Sequence, residues 1–449
     1  MNMNGKPKIC SVVSDLGIGG TARQLVTMDK YLNKDFFEHF VVSIGSADNT
    51  RVKDLDLKKV FFVKNAKEAA EIIRNNQFDA VYFQRHGRNE IAHDILVSEI
   101  PKNILVVEMN TFSAYDSGPF GKRCDIHVFV SSVNILKYLK QNNLSFNFDS
   151  QKVVYGLVDT ANFKKNIPTQ FEIDQFKNKY GLKGHFIIGR LARPVLGKWD
   201  DRTIIFWRRI SRLNTNIKFL IYGVPEEKKE KLIEAGNSAN LIILEPTSSD
   251  KELALFYTSI NTLVHLSPIG ECNCGAIAEA MMFGKAIVVT STPFPRRTLG
   301  RVHTRDNGQI EQIKNGENGF VVNNALTMAE AVDYLSCNPE VVKKMGYANK
   351  IEVENKYNAT IGIKTLEKIF LDGVERKGKE LTPEVKQYSN GLKYYPDQKL
   401  ITYWFAEYYK RLNDVFGKGR FSLVDCFSSF YFILSRKFNT LLRIILQKV

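Results

Sequence analysis

The chain has 449 residues, is 44% hydrophobic and 25% charged, and carries a net charge of +15. That length accommodates two or three domains with cores of their own, and the composition is ordinary for a soluble globular protein, with no low-complexity segment and no repeat of solenoid length. No stretch reaches the roughly 20 apolar residues that span a bilayer. The start, Met1 to Lys8, is polar, and the Ile9–Val13 run is too short for a signal peptide. The cysteines, at Cys10, Cys124, Cys272, Cys274, Cys337 and Cys426, follow no framework spacing and are expected as reduced thiols in the cytoplasm.

The first half alternates short apolar runs with helical patterns. Strands are expected at 8–13, 40–44, 60–63, 80–83, 104–107 and 126–130, with helices such as 23–32 and 67–75 between them. This alternation predicts a parallel sheet with crossover helices. Directly after the first run comes Asp15-Leu-Gly-Ile-Gly-Gly-Thr-Ala-Arg23. Gly17, Gly19 and Gly20 allow close approach of backbone to ligand at a helix start. The loop is not G-x-G-x-x-G, because Ala22 and Arg23 stand where the third glycine belongs, and a tight strand-to-helix turn would use the same residues. Two other strand ends carry candidate chemistry: Gln84-Arg85-His86-Gly87, and Glu108 to Asp116. His86 and Glu108 are candidates to orient or deprotonate an acceptor hydroxyl, against the plainer role of satisfied hydrogen bonders. His39, His127, His185, His265 and His303 fall in or near strands and are read as structural.

A polar stretch to about Lys183 follows the segment Val153–Phe163 and marks a domain junction. A second alternating series follows, with strands at 185–188, 217–222, 241–244, 262–266 and 286–289 and an edge element at 319–322. Gly189-Arg190-Leu-Ala-Arg193-Pro-Val-Leu-Gly-Lys198 closes its first strand. Arg190, Arg193 and Lys198 there suit phosphate oxygens, although single surface cations are usually only solvated. Beyond the 262–266 run, Pro268 and Gly270 make a loop, and Gly275 opens an Ala/Met-rich helix that Gly284 ends. Glu271 and Glu279 lie eight positions apart across that loop and helix start. Ligands in open α/β sheets bind at carboxyl ends of strands, and a helix start favours a diphosphate. Glu279, about a turn into the helix, is placed to accept both ribose hydroxyls, with Glu271 toward a sugar or its phosphate. Two carboxylates on an exposed helix start would be the bland alternative. Cys272-Asn-Cys274 reads as small-residue packing rather than half a metal site. Asp306–Glu311 and Gly316–Gly319 read as turns at the edge of the pocket.

The ordered set of pieces resembles family 4 of the retaining glycosyltransferases, with the GT-B fold, over about residues 8–370. The pieces are Gly19-Gly20, Val154-Tyr-Gly-Leu-Val-Asp159, Gly189-Arg190-Leu, Glu271 with Glu279-Ala-Met, and Gly316-Glu-Asn-Gly-Phe320. The resemblance implies an α/β architecture of two Rossmann-like doubly wound domains facing a cleft, plus a C-terminal helical extension. The expected units are a 1–160 acceptor domain, a 161–183 linker, a 184–354 donor domain, a 355–375 helix crossing back, and a 376–449 basic, aromatic-rich helical extension. It also implies transfer of a sugar from a nucleotide diphosphate-sugar to a glycan or lipid-linked acceptor in cell-surface polysaccharide or glycolipid synthesis. Arg190 and Lys198 would bind the diphosphate, Gly19 and Gly20 would let the first domain close on it, Glu279 would hold the ribose, and Glu271, a catalytic candidate with His86 and Glu108, would contact the transferred sugar; Arg193 and Gly275 complete the donor-binding candidates. No cofactor or metal is expected, since Asp54-Leu-Asp56 lacks a strand-end context. Three departures stand out: Arg193 and Pro194 separate Arg190 from Lys198, Glu108 stands near where a histidine is usual, and Tyr155-Gly156-Leu157 replaces an Asn-Gly junction.

Competing readings are a non-catalytic nucleotide-sugar-binding partner subunit and, less well supported, an NAD-dependent oxidoreductase. The latter needs an acid at the end of the second strand, where none occurs before Asp48. Between Arg376 and Val449 there are 14 Lys and Arg against 6 Asp and Glu, a net of +8. With Phe427, Phe430, Tyr431 and Leu434 at helical spacing, residues 418–449 suit an amphipathic helix on an anionic membrane surface rather than nucleic acid. Packing on the protein's own core, or a dimer contact, would use the same composition. A peripheral position on the inner membrane face is the expectation.

Overall fold

The computed structural model describes residues 6–416 apart from 15, 18, 46–48, 268–269, 292–295, 299–300 and 304–306. Thus Asp15, Asp48, Pro268, Asp306 and the whole 418–449 segment, with Phe427, Phe430, Tyr431 and Leu434, lie outside the described residues.

Residues with apolar side chains on both faces form two parallel sheets. The first contains β1 (Lys8–Val13), β2 (Glu38–Ile44), β3 (Val60–Val63), β4 (Ala80–Arg85), β5 (Leu105–Asn110), β6 (Ile126–Phe129) and β7 (Gln151–Val153), in the order β3-β2-β1-β4-β5-β6-β7. The second contains β8 (Phe186–Leu191), β9 (Ile217–Tyr222), β10 (Leu241–Leu244), β11 (Thr262–His265), β12 (Ala286–Thr290) and an edge strand, Gly319–Val322. Between these last two lies a short antiparallel ribbon, β13 (Arg296–Thr298) with β14 (Arg301–His303), so the edge strand is β15. The second sheet runs β10-β9-β8-β11-β12-β15. In both sheets the order reverses beside the first strand, which opens a crevice at the carboxyl ends there.

Burial on both faces explains why near-continuous Val/Ile/Leu runs were legible as strands. One face of the first sheet packs Val12, Val81, Phe83 and Val106 against Ala69, Ile73 and Leu96. The other packs Tyr82, Leu105 and Val107 against Leu366, Ile369 and Phe370. These last belong to the Ala359–Arg376 helix, which follows the second sheet in sequence yet covers the first. Gly373 permits the approach, because a Cβ there would lie 2.5 Å from Leu105 Cδ2. Where the chain crosses between the sheets, Val158 N–H donates to Tyr357 C=O and Ala359 N–H donates to Val158 C=O. The two passes of the chain are thereby stitched together.

The C-terminal helix Gln398–Phe416 buries Ile401, Trp404 and Tyr408. It lies on both the Ser132–Asn142 helix of the first unit and the Gln309–Gln312 helix of the second. The aromatic stretch up to Tyr409 therefore packs on the protein's own core. No helix among the described residues is long and apolar enough to cross a membrane.

Candidate functional site

The site is built on the carboxyl ends of β8 and β11. Arg190, near the end of β8, is only 1% exposed. Its guanidinium lies over the Trp199 ring at 4.9 Å, and its Nη2 donates to Lys198 C=O at 3.4 Å. Its Nε and Nη1 find no hydrogen-bond partner among the described residues. Burial pulls this guanidinium down to about 10, even with Asp200 and Glu271 favouring its charge. An enclosed cation with idle donors is costly unless an anion joins it.

Glu271 follows β11 and is also buried. Lys198 Nζ donates to both of its oxygens at 3.1 Å, and His265 Nε2 lies 3.2 Å from Oε1. Burial alone would raise this carboxyl, but His265 and Lys198 outweigh it and hold it at about 2. Burial likewise works against the His265 cation, and Cys274 and Glu271 lift it to about 9. The Glu271 loop is gripped from behind. Its peptide N–H donates to Gln309 Oε1 at 3.1 Å, its C=O accepts from Gly308 N–H at 2.6 Å, and Cys274 N–H donates to Gln312 Oε1 at 3.0 Å.

Glu279 lies one turn into the Gly275–Met282 helix. Tyr257 Oη donates to its Oε2 at 2.8 Å, and Arg23 Nη1 reaches Oε1 at 3.3 Å. Arg23 belongs to the Gly20–Tyr31 helix of the first unit, so this ion pair spans the two units, as does its 2.7 Å contact with Asp250. Neither the Gly20–Tyr31 nor the Gly275–Met282 helix start has a side-chain cap. A Cβ on Gly20 or Gly275 would meet nothing within 4 Å, and one on Gly19 would meet only Arg193 Nη1, at 3.9 Å. The glycine loop and the exposed Arg193 thus lie close to each other, and both helix starts offer uncapped N–H groups.

Among the predicted donor residues, Lys198 contacts Arg190 and Glu271, Glu279 is held by Arg23 and Tyr257, Gly19 lies beside Arg193, and Gly20 and Gly275 open uncapped helices. The two acceptor-side candidates are placed differently. His86 is exposed, with its ring tilted against Phe112 at 5.0 Å. Glu108 is not on an open wall. It is 1% exposed, with His127 Nδ1 at 2.6 Å and Arg85 Nη1 at 3.6 Å. Arg85 in turn holds Asp116 at 2.8 Å. Its position midway along β5 turns it into the sheet's packed face. Sequence reasoning missed Arg23, Tyr257 and His265. His265 was read as structural, yet it contacts Glu271; its place as the last residue of β11 was the available signal.

Two groups of side chains have the donor atoms for a metal ion, Glu108/Cys124/His127 and His265/Glu271/Cys274. Cys274 thus has a histidine beside it that spacing did not reveal. In each group a protein cation already sits by the carboxylate, Arg85 in one and Lys198 in the other. Such a cation repels a metal ion at that distance.

Residues 173–352 match the family of glycosyl transferases group 1. No curated protein matches the sequence. Among solved structures, a glycosyltransferase from Rickettsia africae is 20% identical with a TM-score of 0.65, covering 82% of this chain and 99% of that one. The Anabaena protein HepE in complex with UDP is 13% identical with a TM-score of 0.64, covering 82% and 100%. A mutant of S. aureus TarM, in complex with fondaparinux, alpha-GlcNAc-glycerol and UDP, is 13% identical with a TM-score of 0.58, covering 81% and 99%. At such identities the likeness establishes the fold, which is GT-B. In each case the uncovered part lies almost wholly on this chain's side.

Proposed function

We propose, from the match of residues 173–352 to the glycosyl transferases group 1 family and from the GT-B fold, that the chain is a glycosyltransferase of the retaining class. It moves a sugar from a nucleotide diphosphate-sugar to a hydroxyl of a glycan or lipid-linked acceptor in cell-surface polysaccharide or glycolipid synthesis. The observation that carries this reading is Arg190, a buried guanidinium with idle Nε and Nη1 donors. A diphosphate supplies the missing acceptors. Lys198 stands beside it, and the uncapped helix starts at Gly20 and Gly275 add N–H groups of the right polarity.

In this reading Glu279 accepts the ribose hydroxyls and Glu271 faces the transferred sugar. The diphosphate draws Lys198 toward itself, and the enzyme's main work is stabilising charge that develops on the leaving phosphates. The acceptor hydroxyl attacks the face from which the diphosphate departs, and the leaving phosphate oxygen takes its proton. His86, exposed beyond β4, orients the acceptor; Glu108 acts only by fixing Arg85 and His127. No step requires a metal or a resident cofactor.

Neighbours solved with UDP make that nucleotide the first to try. Calorimetry with UDP, GDP and ADP tests the site. One nucleotide is expected to bind the wild type and to be lost with Glu279→Ala. Binding of none, or binding indifferent to the substitution, overturns the assignment; binding without turnover of any donor turns the reading to a partner subunit. Residues 418–449 are proposed to contact anionic membrane, on composition. Their deletion should abolish sedimentation with phosphatidylserine vesicles and leave nucleotide binding intact; undiminished sedimentation rejects that role.

A further inference from the structure

The Gln398–Phe416 helix does more than cover a hydrophobic face. Tyr408 Oη accepts from Asn307 Nδ2 at 3.3 Å. Asn307 Oδ1 accepts from Gln309 Nε2 at 3.1 Å. Gln309 Oε1 accepts from the peptide N–H of Glu271 at 3.1 Å. An unbroken relay therefore leads from the C-terminal helix to the backbone of the Glu271 loop. A second tie runs beside it: Arg411 Nη1 donates to Ile310 C=O at 3.1 Å. Ile310 lies in the same Gln309–Gln312 helix whose Gln312 holds Cys274 by its N–H and C=O.

Arg411 is itself fixed, with its guanidinium over Trp404 at 4.3 Å and its Nε donating to Glu407 at 2.9 Å. Asn307, Gln309, Gln312 and Tyr408 are all buried. Gln309 Nε2 also donates to Thr290 C=O at 3.0 Å, so the relay is anchored on the second sheet as well; in a buried network of this kind a change at one member is felt at the others.

We propose that Tyr408 and Arg411 are positioning residues for Glu271, acting through the Gln309–Gln312 helix. The consequence for sugar transfer rests on the function proposed above; the mechanical coupling does not. The chain segment that lies outside the expected GT-B core thereby sets the geometry of the donor loop.

Hydrogen–deuterium exchange on the full chain tests the coupling without a substrate. Tyr408→Phe keeps the ring's packing and removes the hydroxyl that accepts from Asn307. It should speed exchange in peptides spanning 270–275 about fivefold, the factor that corresponds to one buried hydrogen bond, with peptides of β1, β4 and β5 unchanged. Arg411→Ala should do the same. Exchange at 270–275 equal to wild type overturns the proposal. So does an increase spread evenly over both sheets, which would mean that the helix only holds the molecule together. If UDP, GDP and ADP all fail to bind the wild type, the donor-site reading falls while the exchange result still decides the coupling.

Discussion

At the scale of single residues, Arg190 and the Glu271–His265 pair make opposite demands on the protein. Arg190 is charged, enclosed and short of acceptors, so it costs stability in the empty protein and repays it when an anion arrives. Arg190→Met, of similar volume, should therefore keep or raise the thermal midpoint of the ligand-free protein. The same substitution should weaken nucleoside diphosphate binding about 10- to 100-fold, the value of one or two charge-assisted hydrogen bonds. A lowered midpoint with unchanged affinity would show Arg190 to be a structural cation. Glu271 and His265 titrate as a coupled pair. Glu271, held at about 2 against an ordinary 4.5, contributes stability that is present above 4.5 and lost as pH falls through 2. His265, lifted to about 9 from 6.5, contributes stability that is full below 6.5 and lost as pH rises through 9. Denaturant melts between pH 6 and 10 should show a decline that His265→Gln flattens; an unaltered slope would place the decline elsewhere.

At the scale of elements, the Glu271 loop depends on one glycine. Gly308 has an ordinary φ of −58°, so it is not needed for its backbone angles. It is needed for space: a Cβ would stand 1.8 Å from Cys272 O and 3.0 Å from Glu271 O. Gly308→Ala must push the loop away and should cost about 1–3 kcal/mol in denaturant unfolding, together with loss of donor turnover. A neutral substitution would mean that the loop is free to move. This dependence was invisible in the sequence, where Asn307-Gly308 reads as a turn. The strands were legible because burial on both faces writes them as apolar runs; the exceptions are β7, whose Gln151-Lys-Val153 carries almost no such signal, and the short β13–β14 ribbon. Glu271, Glu279, Arg190 and Lys198 were expected at strand ends and a helix start, where ligand chemistry concentrates, and the structure places them there. Arg23, Tyr257, Gln309 and Gln312 were not, because their roles come from contacts between segments far apart in the chain. Arg23 reaches Glu279 from another sheet, and no local pattern encodes that. Glu108 misled for a related reason: it lies on a strand that ends at the expected place but points into the packed face.

At the scale of the whole molecule, the two units are joined by contacts of unequal strength. On the cleft side Arg23 meets Asp250 and Glu279 with side chains 13–31% exposed. Partly solvated pairs of this kind contribute little, about 0–1 kcal/mol, and weaken in salt, so they can part to admit a donor. Behind the cleft Glu311 is 1% exposed and accepts from Tyr155 Oη at 2.6 Å and Val133 N–H at 3.2 Å, both in the first unit. Lys356 Nζ lies 3.6 Å from it, itself packed over the Tyr155 and Trp404 rings at 4.4 and 4.7 Å. This arrangement pins the two units together: loss of the Glu311 carboxylate strands two buried donors and leaves the buried Lys356 ammonium with only Glu352 Oε1, at 3.9 Å, as a charged partner. Glu311→Ala should destabilise by about 3–5 kcal/mol, as removing one partner of a buried pair does. Lys356→Met in the same chain should recover part of that loss, because the stranded charge goes with it. The cycle of single and double variants, read by denaturant unfolding, should give a coupling of more than about 1 kcal/mol. Strict additivity would mean that Tyr155 and Val133, not the ion pair, carry the pin, and the junction would then rest on those two hydrogen bonds alone.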